Sequence, residues 1–288
     1  MKKIKKAVVP VAGMGTRFLP FTKAVPKEML PIIATPTIQI IVEELVDSGI
    51  EEILFITNRY KHPIEDHFDY SFELEAKLEA NGKDDQYEEI RRIADQANFY
   101  YKRQKETKGL GHAILQGKEF VGDDPFVVVL GDDIVYNPDQ PAIGQLIERF
   151  YELEKDVVGC KKVPMTEINK YGSIEADQID DRTYDIKYCI EKPSIEDAPS
   201  DVAILGRYVF TPKIFDHIEK TKPGVGGEIQ ITDAIDSLAK SDGVYGYIYE
   251  GKRYDVGSKL GFLEATVEYA LRDEEVGKEF AEYLKKIK

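Results

Sequence analysis

The stretch AVVPVAGMGTR, residues 7–17, decides the fold. Its apolar first half, Ala7 to Ala12, is typical of a buried strand, and this predicted strand opens directly into a glycine-containing loop. Glycines let a backbone approach a phosphate closely, and exposed N–H groups in such a loop form an anion nest. Because Arg17, Lys23 and Lys27 follow within a few residues, we expect this loop to hold a triphosphate.

Two common phosphate-binding motifs do not match the loop. The dinucleotide fingerprint GxGxxG would need a glycine where Phe18 stands, and the P-loop GxxxxGK[ST] has no match after this strand. A plain glycine turn flanked by solvated lysines remains an alternative for GxG alone. The density of basic residues beside the turn argues against that alternative.

The composition indicates an ordinary globular chain and excludes some classes of function. Hydrophobic residues make up 42% of the 288 residues and charged residues 32%. A formal net charge of −14 disfavours nucleic-acid binding, which relies on stripes of lysine and arginine. Small phosphorylated substrates need only a few cations focused in a cleft. The apolar run near the amino terminus is too short for a signal peptide or membrane helix, so we expect a cytoplasmic protein.

Apolar runs alternate with amphipathic segments up to about residue 133, the pattern of strands feeding helices in a mostly parallel sheet. The second half is richer in closely spaced strands and is predicted to be more antiparallel. Strands are predicted over residues 7–12, 53–57, 99–102, 126–130, 157–163, 173–176, 184–190, 203–210 and 244–249. Helices are predicted over residues 36–48, 65–97 with a break at Asn81 and Gly82, 110–120, 212–220, 231–239 and 260–271, with a charged helix at the carboxyl terminus.

Acidic residues follow the buried strand at 126–130. Asp132 and Asp133 should emerge at the carboxyl end of the sheet, where ligands bind in open α/β folds. Carboxylate oxygens suit Mg²⁺, but successive residues of a strand point to opposite faces, so only one of the two is expected to be a ligand. Asp255, predicted to lie in a turn, could complete the site. A pair of aspartates that merely caps a turn is the alternative.

Glu191 and Lys192 end another predicted strand. The lysine could bind a sugar phosphate and the glutamate could accept hydrogen bonds from sugar hydroxyls, although a surface ion pair would look the same in sequence. Nothing supports nucleophilic catalysis, since the chain has no GxSxG motif. We interpret Cys160 and Cys189 as small buried residues, and the four histidines show no metal-ligand spacing.

Several motifs together resemble the signature of the bacterial sugar-nucleotide pyrophosphorylases. The most specific are AGMGTRFLP at 12–20 and PKEMLP at 26–31, and the likeness extends over nearly the whole chain. Further matching segments are IEDHF at 64–68, GLGHA at 109–113, LGDD at 130–133, EKP at 191–193, GEIQITDA at 227–234 and YDVG at 254–257. Residues 57–62, TNRYKH, and 33–36, IATP, depart from the pattern of close relatives.

The resemblance implies a Rossmann-like three-layer α/β/α nucleotidyltransferase fold with a mixed central sheet. It implies one domain over 1–288, with a nucleotide-binding half at 1–135, a sugar-binding half at 136–258 and carboxyl-terminal helices at 259–288. The implied reaction transfers the uridylyl group of UTP to glucose 1-phosphate with the help of Mg²⁺. It also implies a homodimer or homotetramer.

The resemblance also implies site residues. Ala12, Gly13, Gly15, Glu28, Gln104, Gly109 and Asp133 would bind the nucleotide. Arg17, Lys27 and Lys192 would be catalytic, Asp132 and Asp255 would hold Mg²⁺, and Gly172, Glu191 and Lys192 would bind the sugar phosphate. A sugar phosphate oxygen is already anionic at neutral pH, so its attack on the α-phosphorus needs no general base. This explains a site without a catalytic histidine.

Three alternatives stay open. Relatives specific for dTTP, ATP or N-acetylglucosamine 1-phosphate share the GxGTR loop. A catalytically silent sensor of UDP-sugars should have lost Lys27, Asp132 or Asp255, and all three are present. A glycosyltransferase would bind a metal and a nucleotide-sugar but would have no reason to keep a basic loop for a γ-phosphate.

Overall fold

The computed structural model describes residues 2–287 and shows thirteen strands in that part of the chain. The strands are β1 (Lys6–Pro10), β2 (Pro31–Ile32), β3 (Thr35–Pro36), β4 (Glu52–Thr57), β5 (Asn98–Arg103), β6 (Phe126–Val129), β7 (Asp133–Tyr136), β8 (Asp156–Lys162), β9 (Gly172–Gln178), β10 (Thr183–Glu191), β11 (Val202–Phe210), β12 (Val244–Ile248) and β13 (Lys252–Asp255).

Eleven α-helices accompany the strands within residues 2–287, besides five short 3₁₀ turns. They are α1 (Thr37–Asp47), α2 (His62–His67), α3 (Phe72–Ala80), α4 (Asp84–Asp95), α5 (Leu110–Leu115), α6 (Lys118–Val121), α7 (Ala142–Leu153), α8 (Lys213–Lys220), α9 (Ile231–Asp242), α10 (Lys259–Arg272) and α11 (Gly277–Lys286). Among these residues, no helix is both long and apolar enough to cross a bilayer.

Nine strands form one mixed sheet in the order β5-β4-β1-β6-β11-β8-β12-β10-β9. The first four run parallel, as expected for strands connected through helices. From β11 onward most pairings are antiparallel, with β8 and β12 as a parallel exception. The predicted change from a parallel to a more antiparallel half is therefore confirmed.

Both faces of the sheet are buried, which makes the fold three-layered. Along β1, Ala7 and Val9 pack into one hydrophobic cluster and Val8 into the other, as the alternation of side chains in a strand requires. The first cluster includes α1 and α7, and the second includes α5, α8 and α9. The predicted α/β/α class with a mixed central sheet is confirmed.

Three predicted segments need correction. The helix predicted over residues 65–97 is interrupted after His67, where α2 ends, and resumes at Phe72, where α3 begins. The helix predicted over residues 110–120 is divided into α5 and α6 at Gly117, where a Cβ would lie 2.8 Å from the Val8 Cγ2 atom of β1. The close approach of this turn to the sheet requires glycine. Asp255 does not lie in a turn but ends strand β13. The break predicted at Asn81 and Gly82 separates α3 from α4 as expected.

Helix α7 and the small sheet of β7 and β13 lie outside the predicted elements. The spacing of the buried Ile143, Leu146, Ile147 and Phe150 is helical and is a signal that could have revealed α7. The two-stranded sheet pairs Asp133 with Asp255 across more than one hundred residues of sequence. This pairing matters for function, because it brings the acidic residue at the end of β13 next to those that follow β6.

Candidate active site

A cleft of about 610 Å³ opens at the carboxyl end of β6, and it draws residues from both halves of the chain. A second, adjoining cavity of about 270 Å³ lies beside the loop that follows β1. Predicted site residues in the larger cleft are Arg17, Asp132, Asp133, Gly172, Glu191, Lys192 and Asp255. Those in the smaller cavity are Ala12, Gly13, Lys27, Glu28, Gln104, Gly109 and Asp132. Asp132 is common to both, so it lies at their junction.

Lys27 and Asp132 form an ion pair at this junction. The ammonium group contacts Asp132 Oδ2, and both side chains keep part of their surface exposed. Burial disfavours the charged form of both side chains, but neighbouring charges have the larger effect on both pKa values. The carboxylates of Asp132 and Glu28 outweigh burial and raise the pKa of Lys27, while Lys27 and Arg17 outweigh it and lower the pKa of Asp132. Both groups are therefore charged at neutral pH.

The carboxylates of Asp132 and Asp255 both lie next to Gly257. A Cβ built on Gly257 would lie 2.6 Å from Asp132 Oδ2 and 3.1 Å from Asp255 Oδ1, so the two carboxylates converge on one small space. Burial, together with the neighbouring carboxylates, raises the pKa of Asp255, with Arg253 opposing the shift. Two converging carboxylates that line the larger cleft have the chemistry of a divalent-cation site.

The contacts of Asp133 differ from those expected of a nucleotide ligand. Its side chain is almost fully buried, its Oδ2 accepts a hydrogen bond from Arg253 Nε at 2.7 Å, and its Oδ1 lies 3.4 Å from Arg207 Nη1. Arg207 is itself fully buried and also pairs with Glu44. Both carboxylate oxygens are therefore engaged by arginines, which ties Asp133 to the strands that carry Asp132 and Asp255.

Glu28 also faces the protein interior. It is 1% exposed, and its Oε2 lies 2.6 Å from the Nζ atom of Lys61, which is 3% exposed. Burial raises the pKa of Glu28 and lowers that of Lys61, and the attraction within the pair opposes both shifts. Glu28 follows Lys27 in the same 3₁₀ turn. The pair of Glu28 with Lys61 therefore anchors the turn that presents Lys27.

The glycine-rich loop after β1 leaves open space at Gly13. A Cβ built on Gly13 would have no neighbouring atom within 4 Å, and Gly15 has a φ of 65°, which favours glycine. The Gly15 carbonyl accepts a hydrogen bond of 2.8 Å from Thr22 Oγ1, which closes the loop. Arg17 reaches across the cleft and donates to the Gly257 carbonyl at 3.3 Å. The loop thus connects the two cavities.

Gln104 and Gly109 border the smaller cavity, where a base could be bound. Gln104 Nε2 lies 2.9 Å from His112 Nδ1 and 3.4 Å from the Gly109 carbonyl. Gly109 has a φ of 98°, and a Cβ there would lie 2.8 Å from the Ile229 carbonyl oxygen. The tight contact between these two segments therefore requires glycine at position 109.

Glu191 and Lys192 lie at the other end of the larger cleft. Glu191 Oε1 is 3.1 Å from Lys192 Nζ, and Glu191 Oε2 accepts a hydrogen bond of 2.6 Å from Thr232 Oγ1. A Cβ on Gly172 would lie 2.9 Å from the same hydroxyl. Lys192 has a φ of 46°, an uncommon conformation for a side-chain-bearing residue that occurs often at functional sites. The sequence alone assigns Thr232 no role, although it stands within the GEIQITDA motif.

Residues 6–272 match the family model described as nucleotidyl transferase. The chain belongs to the nucleotidyl transferase family. It is 53% identical to UTP--glucose-1-phosphate uridylyltransferase 2 of Staphylococcus saprophyticus over 100% of this chain and 99% of that protein. It is 51% identical to the UTP--glucose-1-phosphate uridylyltransferase of Staphylococcus epidermidis over 100% of this chain and 99% of that one.

Solved structures agree with this family assignment. UTP-bound UGPase from Acinetobacter baumannii superposes with a TM-score of 0.92 at 38% identity, over 99% of this chain and 100% of that one. UDP-glucose pyrophosphorylase complexed with UDP-glucose superposes with a TM-score of 0.87 at 43% identity, over 94% of this chain and 100% of that one. The resemblance to the sugar-nucleotide pyrophosphorylases, drawn from the GxGTR and PKEMLP motifs, is confirmed, and so is the assignment as a nucleotidyltransferase enzyme.

Proposed function

We propose that the protein transfers the uridylyl group of UTP to α-D-glucose 1-phosphate and releases UDP-glucose and pyrophosphate. The observation that carries this proposal is the position of the Lys27 and Asp132 pair between a nucleotide-sized cavity and a cleft that ends at Glu191 and Lys192. A two-substrate transfer needs its reacting groups at such a junction. Relatives of 51% and 53% identity that are named UTP--glucose-1-phosphate uridylyltransferase support the choice of substrates.

Each substrate would have its own part of the cleft. The uracil would lie against Gln104 and the backbone of Gly109, with the nucleotide following the loop of Ala12, Gly13 and Gly15. The glucosyl group would contact Gly172 and Glu191, and Lys192 would hold its phosphate. This arrangement would align the phosphate oxygen of glucose 1-phosphate with the α-phosphorus of UTP.

The chemical step is an in-line displacement. An anionic oxygen of glucose 1-phosphate forms a bond to the α-phosphorus, while the bond from that phosphorus to the bridging oxygen breaks and pyrophosphate leaves. Lys27 and Arg17 would stabilise the negative charge that spreads over the phosphoryl oxygens. No proton has to be removed from the nucleophile. One phosphoanhydride replaces another, so the reaction should be readily reversible.

Asp132 and Asp255 fit a divalent cation, and we propose Mg²⁺. Their oxygens converge next to Gly257, which has no side chain to fill the space between them, and carboxylates are ligands that Mg²⁺ prefers. Within residues 2–287 no group of three or more histidine, cysteine or acidic residues is arranged as a metal site. A site with two carboxylates leaves coordination positions for phosphate oxygens, which is typical of Mg²⁺. Bound there, the ion would neutralise phosphate charge.

The test is a substrate matrix. Purified protein is assayed for pyrophosphate release with UTP, dTTP, ATP, GTP and CTP, each against several sugar 1-phosphates, in the presence of Mg²⁺. We expect UTP with glucose 1-phosphate to give the highest kcat/KM. A large advantage for dTTP or ATP would instead identify a paralogue, and binding of UDP-glucose without pyrophosphate release would identify a sensor. A requirement for UDP-glucose in place of UTP would identify a glycosyltransferase.

We further propose that the protein forms a homodimer or homotetramer. Helix α10 exposes two large apolar side chains, with Leu260 68% and Leu263 57% exposed. Exposed apolar side chains on one helix are common at contacts between subunits. Light scattering coupled to gel filtration gives the mass directly, and a mass of one chain at micromolar concentration would contradict the proposal.

A further inference from the structure

A third cavity, of about 670 Å³, lies where β4 and β5 end, outside the cleft described above. We call it the Tyr60 cavity and define it by Met14, Arg59, Tyr60, Arg103, Lys105 and Lys108. Gln104 borders both the Tyr60 cavity and the smaller cavity of the active site, so the two are neighbours. The proposed reaction assigns no role to the six residues that define it.

Four cations surround this cavity in a chain with a net charge of −14. Arg59, Arg103 and Lys105 have no carboxylate within ion-pair distance among the residues that the structure describes, and Lys108 pairs only with Glu106, at 2.5 Å. Glu106 also lines the cavity, so four cations face one carboxylate there, and such an excess of positive charge raises the local concentration of anions. The cavity therefore has the electrostatics of a site for a ligand with more than one negative charge.

The cavity also offers surface for a flat ring. Tyr60 is 60% exposed and Met14 is 55% exposed, and the guanidinium group of Arg59 lies 5.5 Å from the centre of the Tyr60 ring. An exposed aromatic ring beside cations is the combination that binds the base and the phosphates of a nucleotide. A purely inorganic anion would have no use for Tyr60 or Met14.

Two buried polar side chains connect the cavity wall to the active site. Asn58, which is 8% exposed, donates a hydrogen bond of 2.6 Å to the Ala12 carbonyl and accepts one of 2.7 Å from the Tyr60 amide. Gln104, which is 6% exposed, contacts the Gly109 carbonyl. The wall is thus fixed to the backbone that is proposed to bind the nucleotide substrate.

We propose that the Tyr60 cavity binds a nucleoside diphosphate or triphosphate at a site separate from the substrate site. The cations hold the phosphates, and Tyr60 with Met14 contacts the base. Because Asn58 joins Tyr60 to Ala12, occupancy of the cavity changes the KM for UTP more than kcat. The site goes beyond the proposed reaction, and that reaction supplies only the ligand used to fill the substrate cleft in the test.

The test titrates ADP into protein saturated with UDP-glucose and follows the heat of binding. UDP-glucose fills the substrate cleft, so ADP can bind only elsewhere. We expect one ADP per chain with an affinity that decreases as salt rises, and no binding of adenosine, which lacks the phosphates. Binding of ADP only when UDP-glucose is absent would place ADP in the substrate cleft and overturn the proposal. Absence of any binding would overturn it as well.

Variants then locate the site. Arg103→Ala with Lys105→Ala removes two cations of the cavity, and Lys3→Ala with Lys278→Ala removes two exposed lysines elsewhere that also have no ion-pair partner among residues 2–287. We expect the first pair to weaken ADP binding by about tenfold or more, as lost charge-assisted hydrogen bonds do, and the second pair to leave it unchanged. Equal effects of the two pairs would contradict the proposal.

Steady-state kinetics separate this proposal from the proposed reaction. In the absence of ADP, Arg103→Ala with Lys105→Ala should keep the wild-type kcat and KM for UTP. A tenfold loss of kcat/KM would show that the cavity is part of the substrate site and would overturn a separate site. If the wild-type protein does not turn over UTP at all, the proposed reaction is wrong, whereas the comparison of ADP binding between the two pairs of variants still reports on the cavity.

Discussion

Replacing Gly257 with alanine should separate the two carboxylates that we propose as metal ligands. The new Cβ would lie 2.6 Å from Asp132 Oδ2 and 3.1 Å from Asp255 Oδ1, whereas ordinary contacts begin at 3.4 Å. At least one carboxylate must therefore move by about 0.8 Å, since a closer contact is repulsive. A displacement of about 1 Å at a reacting centre can cost about 10²-fold in rate, or about 3 kcal/mol.

The assay measures pyrophosphate release at saturating UTP and glucose 1-phosphate over a series of Mg²⁺ concentrations. We expect Gly257→Ala to lower kcat by about 10² and to raise the Mg²⁺ concentration that gives half of the maximal rate. Gly144→Ala, in helix α7, is the matched control, because the nearest atom to its Cβ would be Ser48 Oγ at 3.3 Å, away from any carboxylate of the site. If Gly257→Ala kept its fold, the wild-type kcat and the wild-type Mg²⁺ dependence, the proposed metal site would be wrong.

Three further predictions concern charged groups. Lys27→Ala and Asp132→Asn should each lower kcat by about 10²-fold or more in the same assay, because charge stabilisation at the α-phosphate is lost. A wild-type rate in either variant would refute the proposed role of the replaced residue. Lys61→Met should lower the unfolding free energy, measured in urea, by about 3 kcal/mol, because it leaves Glu28 buried without a partner. The double variant Lys61→Met, Glu28→Gln should recover most of that loss, because it removes the unpaired charge. A larger loss in the double variant than in Lys61→Met would contradict this prediction. Burial raises the pKa of Asp156 to about 6, whereas its pKa in the unfolded chain is about 3.8. Protonated Asp156 therefore stabilises the fold below pH 3.8, and this contribution is lost as the pH rises through 6. The unfolding free energy of Asp156→Asn should depend less on pH between 4 and 8 than that of the wild type, by up to about 3 kcal/mol, and equal pH profiles would disprove the shift.

Much of the fold can be predicted from the spacing of residues in short stretches of the sequence. The continuous apolar strands and the amphipathic helices follow from short stretches whose side-chain spacing is set by the strand or helix itself. The loop after β1 is recognisable for the same reason, since Gly15 needs a positive φ that glycine adopts easily. The segment at 110–120 is predicted as one helix because nothing local to Gly117 reveals that Val8 lies against it.

The roles of Asp133 and Glu28 cannot be read from local sequence. Both are acidic residues next to residues of the proposed site, and their neighbours in sequence give no sign of burial. The partners of Asp133 are Arg207 and Arg253, which lie 74 and 120 residues away, and Lys61 lies 33 residues from Glu28. Only the folded chain brings these cations to the carboxylates. An interior charge with a distant partner therefore looks, in sequence, the same as a ligand.

The distant partners explain how the two proposed metal ligands reach one place. Asp132 follows β6 and Asp255 ends β13, so nothing in their own strands fixes the distance between them. The pairing of β7 with β13 sets that distance, and Arg207 and Arg253 hold Asp133, the first residue of β7, in place. Separating β7 from β13 would break the ion pair of Asp133 with Arg253. The charges would then be left unpaired in the protein interior, which is energetically costly. The buried ion pairs of Asp133 therefore oppose any separation of Asp132 from Asp255.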